Sequence, residues 1–559
     1  MVLVSGPAPL RVSPVAFSLL LAVESLFVLG SLARRPRLAA ASRIAVFVAP
    51  LALALSLRAW VAFTIPGVVE WDETYYLSAA VTAADGRGLY PYVFGYAPMP
   101  VMGGLGYAAY LNALAVLAAG PTIFALRAVS LAASIAGLVC LWLLVRALYG
   151  SGAAWIAAAL VSALRLFIMS NSARMDSFAF AWVAGALLLV TTALRYPESR
   201  RLHFLAGLAF GLGLQVHIDT AVTAGACGIL YLVTWLRQAR AQRRVMLPTD
   251  MLLYVAGWTA GLVAFVAFNI LPDPDAFYRT TVLIRVDATS WYSGGTSSIF
   301  GSFLDPRILL AKEVERYTLL FRSLHGIEIA LVATAIVAMA ARRGPVDVQA
   351  LIVIGSVIVL AAILLNNASP LYFIHITPAL VVPLAALFSH GLALKGKVRV
   401  SGLGTGQLLA FAVVISALCA VNTVKTVWPR AAVDQRAAAD AEFARRARAA
   451  IDSRCRIAGD GRLYVPHFAD YPYFVSARPT EVDYAMIFHG VENEAEYWEI
   501  KAPEAVLMMS PLSAGLSAYL ASHGLAPVGD GIWLAPGGCE GRPQPTSRRS
   551  SRTGTSPVP

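Results

Sequence analysis

Apolar runs long enough to cross a bilayer recur along almost the whole of this 559-residue chain, and no other feature constrains its fold so strongly. About 20 mostly apolar residues span the ~30 Å of hydrocarbon in a membrane. Lipid offers the backbone no hydrogen-bond partners, so each run is read as a helix. The spans are expected near 15–33, 43–66, 122–146, 152–170, 177–194, 203–217, 219–236, 251–270, 323–341, 348–366, 371–391 and 404–424. The sixth and seventh are short, as bent or half-inserted helices would be. Only 14% of the residues are charged and 58% are hydrophobic, whereas roughly a quarter of a soluble domain is charged. The first run follows a segment carrying only Arg11 and is interrupted by Glu24, so it is read as a retained helix, not a cleaved leader.

The net charge of +12 does not point to nucleic acid, because the basic residues sit in short clusters between apolar runs. Arg34, Arg35, Arg37, Arg43, Arg146, Arg195, Arg200, Arg201, Arg237, Arg240, Arg243, Arg244, Arg342, Arg343, Lys395, Lys397 and Arg399 all fall on one side of the predicted bundle. Against these seventeen stand three acids, Glu198, Asp250 and Asp347. The positive-inside bias makes that side cytoplasmic, as in a multi-pass protein of the plasma (inner) membrane. The opposite face then receives the long segments 67–121, 271–322 and 425–559.

The expected fold is therefore mainly α: a polytopic bundle of about 12 transmembrane helices over residues 1–427, with outer loops 67–121 and 271–322. A small extracytoplasmic α/β domain is expected over 428–541, and a disordered Arg/Ser/Pro/Thr-rich tail over 542–559. In that domain a helix is expected over Val433 to Ile451 and another over Ala514–His523. Strands are expected at Cys455–Ala458, Ala505–Met509 and Ile532–Leu534. Cys455 and Cys539 flank it and are placed either to pair on an oxidising face or to remain free thiols.

Ionisable residues at the outer face are the candidates for chemistry. Glu70-Trp71-Asp72-Glu73 puts three carboxylates in four residues directly after a predicted span, where they repel one another unless something compensates them. Asn171-Ser172-Ala173-Arg174-Met175-Asp176 joins two spans with almost no loop, so Arg174 and Asp176 lie at the membrane surface. His217 and Asp219 occupy a third such turn. Asp72, Glu73, Asp176 and Asp219 around one cavity would serve as a general base or hold a divalent cation through oxygen ligands. The plain alternatives are an acidic helix N-terminus, a local Arg174–Asp176 pair and a histidine with an ordinary hydrogen bond. Glu24 and Arg58 lie at matching depth and are expected to pair. Arg127 and Arg165 near the outer surface are read as snorkelling or as meeting a lipid phosphate. In loop 271–322, Trp291-Tyr292-Ser293-Gly294-Gly295 suits a mobile lid, and Arg285, Lys312, Arg316 and Arg322 are candidate phosphate contacts.

Asp72-Glu73 with Tyr76, then Gly88, Tyr90-Pro91, Pro98, Tyr107, Gly120, Arg127, Ser130, Arg146 and Gly150, resembles the polytopic GT-C glycosyltransferases. The likeness is to the bacterial branch of aminoarabinose transferases and protein O-mannosyltransferases. Arg174-Met175-Asp176 falls where these proteins have a second acid after an arginine. Tyr372-Phe373-Ile374-His375-Ile376-Thr377-Pro378-Ala379-Leu380 is similar to their late helix. The resemblance covers roughly residues 55–390. It implies a sugar donor on a polyprenyl phosphate and transfer on the extracytoplasmic face to a glycan, lipid or protein acceptor. It also implies Asp72 as the catalytic carboxylate, Glu73 as its neighbour and Asp176 as the second acid, with Asp72 and Asp176 the candidate ligands of Mg or Mn. Tyr76, Arg174, His217, Asp219, Arg285, Tyr372 and His375 are the expected substrate contacts. The arginine usual at the start of the late helix is replaced by Pro370-Leu371-Tyr372, and Gln215-Val216-His217 stands where many relatives have a lysine.

Two other functions share part of this pattern. A transporter would place its ionisable groups near the bilayer midplane, commonly in repeated halves, whereas here the acids gather at one surface and no repeat is visible. A polysaccharide polymerase or ligase would lean on loop arginines in place of an acidic pair at a helix end.

Overall fold

A computed structural model describes residues 72–86, 106–163, 173–243, 247–271, 274–278, 305–322, 325–342, 344–364, 376–391, 438–469 and 493–539, with scattered positions in 51–63 and 471–491. The spans expected at 15–33 and 404–424, the Glu24–Arg58 pair, Arg165, the Trp291–Gly295 segment and the tail lie outside these residues.

The chain is mainly helical. Its described helices are α1 (Asp72–Ala84), α2 (Gly106–Ala119), α3 (Ile123–Tyr149), α4 (Ser151–Ala163), α5 (Asp176–Arg195) and α6 (Arg200–Gly213). They continue as α7 (Thr220–Gln242), α8 (Thr249–Phe265), α9 (Pro306–Arg322), α10 (His325–Arg342), α11 (Pro345–Leu364) and α12 (Thr377–Gly391). Among the described residues, five helices are long and apolar enough to cross a membrane: α3, α5, α7, α8 with its π-helical extension to Ile270, and α11 from Val346. α1, α2 and α9 fall inside segments expected as outer loops. Hydropathy does not reveal them: α9 carries Lys312, Glu313, Glu315 and Arg316, and α1 and α2 are only 13 and 14 residues long.

The bundle core is filled by Leu138, Leu141 and Val145 of α3, Phe180, Val183 and Leu187 of α5, Phe210 of α6, Leu230 and Tyr231 of α7 and Val381 of α12. The short α6 is held by close packing, not by length. Gly207 and Gly211 face Gly257 and Gly261 of α8, each pair at i, i+4. A Cβ at Gly207 would stand 1.9 Å from the Tyr254 carbonyl oxygen, and one at Gly257 2.0 Å from that of Phe204. Small residues at this spacing let two backbones touch inside a membrane, where dispersion replaces the hydrophobic drive.

The C-terminal unit is a five-stranded sheet, β1 (Ile457–Gly459), β2 (Phe474–Ser476), β3 (Ala505–Leu507), β4 (Ala526–Gly529) and β5 (Ile532–Leu534), in the order β2-β1-β3-β5-β4. β1 pairs in parallel with β2 and β3, while β5 runs antiparallel to β3 and β4. Alternating side chains give the sheet two buried faces. Ala458, Val475 and Val506 pack under α14 (Glu494–Lys501) and α15 (Ala514–Ser522), against Tyr497, Trp498, Leu516 and Leu520. Ile457, Phe474, Ala505 and Leu507 face the other way, toward a helix at 438–450, here α13, and the bundle. Cys455 and Cys539 form a disulfide across 84 residues, closing the unit. Lys501 is fully buried, with its ammonium 5.4 Å from the Tyr497 ring centroid.

Two outcomes follow. Gly207→Leu or Gly257→Leu separates α6 from α8, and the purified chain loses its cooperative melting transition in detergent. Burial pulls Lys501 down to about 7, far below its value of ~10.4 in an unfolded chain. Between those values the unfolded state binds a proton that the native state does not, so stability of this unit rises as pH climbs from about 7 to about 10. Lys501→Met flattens that rise in a pH series of melting temperatures.

Candidate active site

Glu73 sits one residue inside α1 and is completely buried, as is Arg127 in the second turn of α3. The guanidinium donates to both carboxylate oxygens, Nε to Oε1 and Nη2 to Oε2, each at 2.8 Å. Oε1 also accepts the Ala173 backbone N–H at 2.9 Å. One carboxylate therefore ties α1, α3 and the turn leading into α5. Bidentate, charge-assisted pairing of this kind fixes orientation as well as distance. Ser130, one turn after Arg127, donates its hydroxyl to the Arg174 carbonyl at 3.3 Å. Ser134 adds a 3.0 Å hydroxyl contact to Ser177. The Ala173–Asp176 turn is thus pinned to α1 at Ala173 and to α3 at Arg174 and at the adjoining Ser177.

Beyond the turn, Arg174 donates Nε to Asp176 Oδ2 at 2.6 Å, and both side chains are nearly buried. Asp176 opens α5, where its charge meets the positive end of the helix dipole. The local pair weighed from the sequence is therefore present, at a buried helix start beside α1. Ala173, Met175, Phe178 and Ala179 share one apolar cluster with Tyr75 and Leu77 of α1 and Val216 of the next turn. Tyr76 is partly buried on α1, edge-on to Tyr75 at 5.4 Å.

In that next turn, Asp219 is buried before the first residue of α7, and His217 Nδ1 stands 3.4 Å from its Oδ2 and 3.2 Å from its N–H. Gln215 Oε1 accepts from Asn269 Nδ2 at 2.8 Å, across from the π-helical end of α8. The glycine-tight α6–α8 crossing carries both partners of that bond.

The same apolar cluster continues into the C-terminal unit through Phe443, Ala447, Leu463, Tyr464 and Phe468. The disulfide-closed sheet therefore packs against the helix that begins at Asp72.

Asp72 is the first residue of α1, and its backbone is set by the anchored Glu73 beside it. The Asp72 side chain, Arg285, Tyr372 and His375 lie outside the described residues. Arg127, read from the sequence as snorkelling or as meeting lipid phosphate, instead spends its charge on Glu73. The signal was available only as charge balance: a cation and an anion 54 positions apart, each at a helix start on the same face. On α9, Lys312 is buried and donates Nζ to the Ala362 carbonyl at 2.6 Å, while Arg316 reaches Glu313 at 2.8 Å. Burial holds the Lys312 ammonium down at about 8. Among the described residues no group of three or more His, Cys, Asp or Glu side chains is arranged to hold a metal. Both oxygens of Glu73 are taken by Arg127, and Oδ2 of Asp176 is held by Arg174.

A family model described as dolichyl-phosphate-mannose-protein mannosyltransferase matches residues 105–270. Among solved structures, ArnT from Cupriavidus metallidurans bound to undecaprenyl phosphate aligns with TM-score 0.55 at 13% identity, covering 87% of this chain and 97% of that one. Its apo state aligns with TM-score 0.52 over the same shares. The Archaeoglobus fulgidus oligosaccharyltransferase in the apo form gives TM-score 0.45 at 12% identity, covering 82% of this chain and 69% of its own. No curated protein sequence matches. The GT-C resemblance read from the residues thus meets a family match over α2 to α8 and a shared fold over nearly the whole chain.

Removing one partner of a buried ion pair costs about 3–5 kcal/mol, because the other charge is left alone. Arg127→Met and Glu73→Leu are each expected to lower the melting temperature in detergent strongly. The double variant regains much of the loss but still leaves the Ala173 N–H without its acceptor.

Proposed function

We propose that this chain is a membrane glycosyltransferase that moves a sugar from a polyprenyl-phosphate donor to an acceptor on the extracytoplasmic face. The observation that carries the reading is the buried Glu73–Arg127–Ala173 assembly, which joins the helix headed by Asp72 to the Arg174–Asp176 turn. The family match over residues 105–270 and the fold shared with ArnT support it.

In this reading Asp72 is the catalytic carboxylate. It takes the proton from the acceptor as the acceptor's nucleophilic atom bonds to the anomeric carbon. The bond from that carbon to the phosphate oxygen breaks, and its electron pair leaves with the polyprenyl phosphate. Glu73 is a positioning residue, since its oxygens are taken by Arg127 and Ala173. Asp176, held by Arg174, orients the acceptor. Cations at the same face stabilise the charge growing on the departing phosphate; Arg174, Arg285, His217 and His375 are the candidates, with Tyr76, Asp219 and Tyr372 shaping the pocket. The acceptor is a glycan, a lipid or a protein.

The test uses membranes containing the full chain and labelled polyprenyl-phosphate sugars. Asp72→Asn is expected to lower transfer by at least about 100-fold, the usual worth of a positioned general base, at unchanged protein level. Transfer at the wild-type rate in Asp72→Asn would overturn the assignment. Asp176→Asn is expected to weaken acceptor use more than donor use. Because Asp176 is already paired with Arg174, transfer is expected to persist in the presence of a chelator, and its abolition would restore a divalent cation between Asp72 and Asp176.

A further inference from the structure

α3 is 27 residues long, so its two ends lie ~40 Å apart. Arg127 at one end belongs to the site above. At the other end is a separate cavity of about 220 Å³, between α3, α5, α7, α11 and α12. That exceeds the ~150 Å³ of an apolar cavity that stays dry and takes up benzene. Its wall is aliphatic over most of its length, with Leu144, Val190, Leu230, Val353 and Val382 from five different helices.

Its polar lining is confined to one end. Thr191 and Arg195 stand one turn apart at the close of α5, and Gln349 lies near the start of α11. All three are on the side of the bundle where the basic clusters lie. Arg195 is exposed and donates to the Ala147 carbonyl, which leaves most of its guanidinium N–H groups available. No hydrogen bond to the side chains of Thr191 or Gln349 occurs among the described residues. Arg146, Arg200 and Arg201 lie in the adjoining helix ends. The acids on this side are three: Glu198 in the exposed α5–α6 turn, Asp250, 3.7 Å from His203 Nε2, and Asp347, whose Oδ1 accepts the Tyr149 hydroxyl at 3.0 Å, against the four arginines Arg146, Arg195, Arg200 and Arg201. The corner is therefore net positive.

A preference for arginine at cytoplasmic helix ends explains the charge alone. It does not explain an alkyl-lined slot that runs from those donors into the membrane between five helices. A polar mouth with a guanidinium above an apolar shaft is complementary to one kind of molecule in a bilayer: an anionic head carried on a hydrocarbon tail. We infer that this cavity is a binding site for an anionic phospholipid of the leaflet on the basic side. Its phosphate sits on Arg195 and Gln349, and one acyl chain lies along Val190 and Val353. The site is distinct from the candidate active site, and its ligand is not the sugar donor.

The experiment uses the full chain purified in detergent and native mass spectrometry with phosphatidylglycerol and phosphatidylcholine of the same chain length. Wild type is expected to retain one phosphatidylglycerol per chain at least ten-fold more tightly than phosphatidylcholine. Arg195→Gln, an exposed change that leaves folding intact, is expected to abolish that preference. Ala350→Phe, which narrows the shaft, is expected to lower retention of both lipids about ten-fold. Equal retention of the two lipids by wild type, an unchanged preference in Arg195→Gln, or displacement of phosphatidylglycerol by equimolar polyprenyl phosphate would each overturn the inference.

Discussion

The buried pairing of Glu73 with Arg127 is the interaction on which the rest of the site depends. Neither charge is stable inside the bundle without the other, and the carboxylate also satisfies the Ala173 N–H. A single group thereby sets the start of α1, the start of α3 and the start of α5 relative to one another. Three helix N-termini are brought to one face, and their dipoles favour negative charge there. Asp176, at the start of α5, gains from that field in addition to its pairing with Arg174.

The packing around this anchor works toward the same end. The glycine-on-glycine crossing of α6 and α8 brings Gln215 up to Asn269 and fixes the His217–Asp219 turn beside the other two. The disulfide-closed sheet lays Tyr464 and Phe468 against the cluster that contains Tyr75 and Leu77. The bundle and the sheet therefore share one apolar core around α1. Such a shared core holds the start of α1 rigidly between the bundle and the sheet.

Much of this architecture was legible in the sequence. The runs at 122–146, 177–194 and 219–236 lie within a few residues of α3, α5 and α7, because hydropathy and the flanking basic residues mark where a helix enters and leaves lipid. In the C-terminal unit Ile532–Leu534 is a strand as expected, and the helices at 438–450 and Ala514–Ser522 fall inside or within a residue of their predicted bounds. Less was legible where tertiary contacts decide. The short helices α1, α2 and α9 are too small or too polar for a hydropathy signal, and β2 and β4 are strands only because neighbours pair with them. The acids of the first loop were visible as a cluster, and only the family resemblance, not their own pattern, distinguished Asp72 from Glu73. The partner 54 residues away separates them, and that pairing is a property of the fold.

The most direct measurement is an experimental structure of the full chain with a non-hydrolysable polyprenyl-phosphate sugar. The sugar is expected between the first turn of α1 and the Arg174–Asp176 turn, with the acceptor side of the anomeric carbon open to Asp72 and the Glu73–Arg127 pair intact. A donor seated elsewhere in the bundle, or one whose binding breaks that pair, would contradict it.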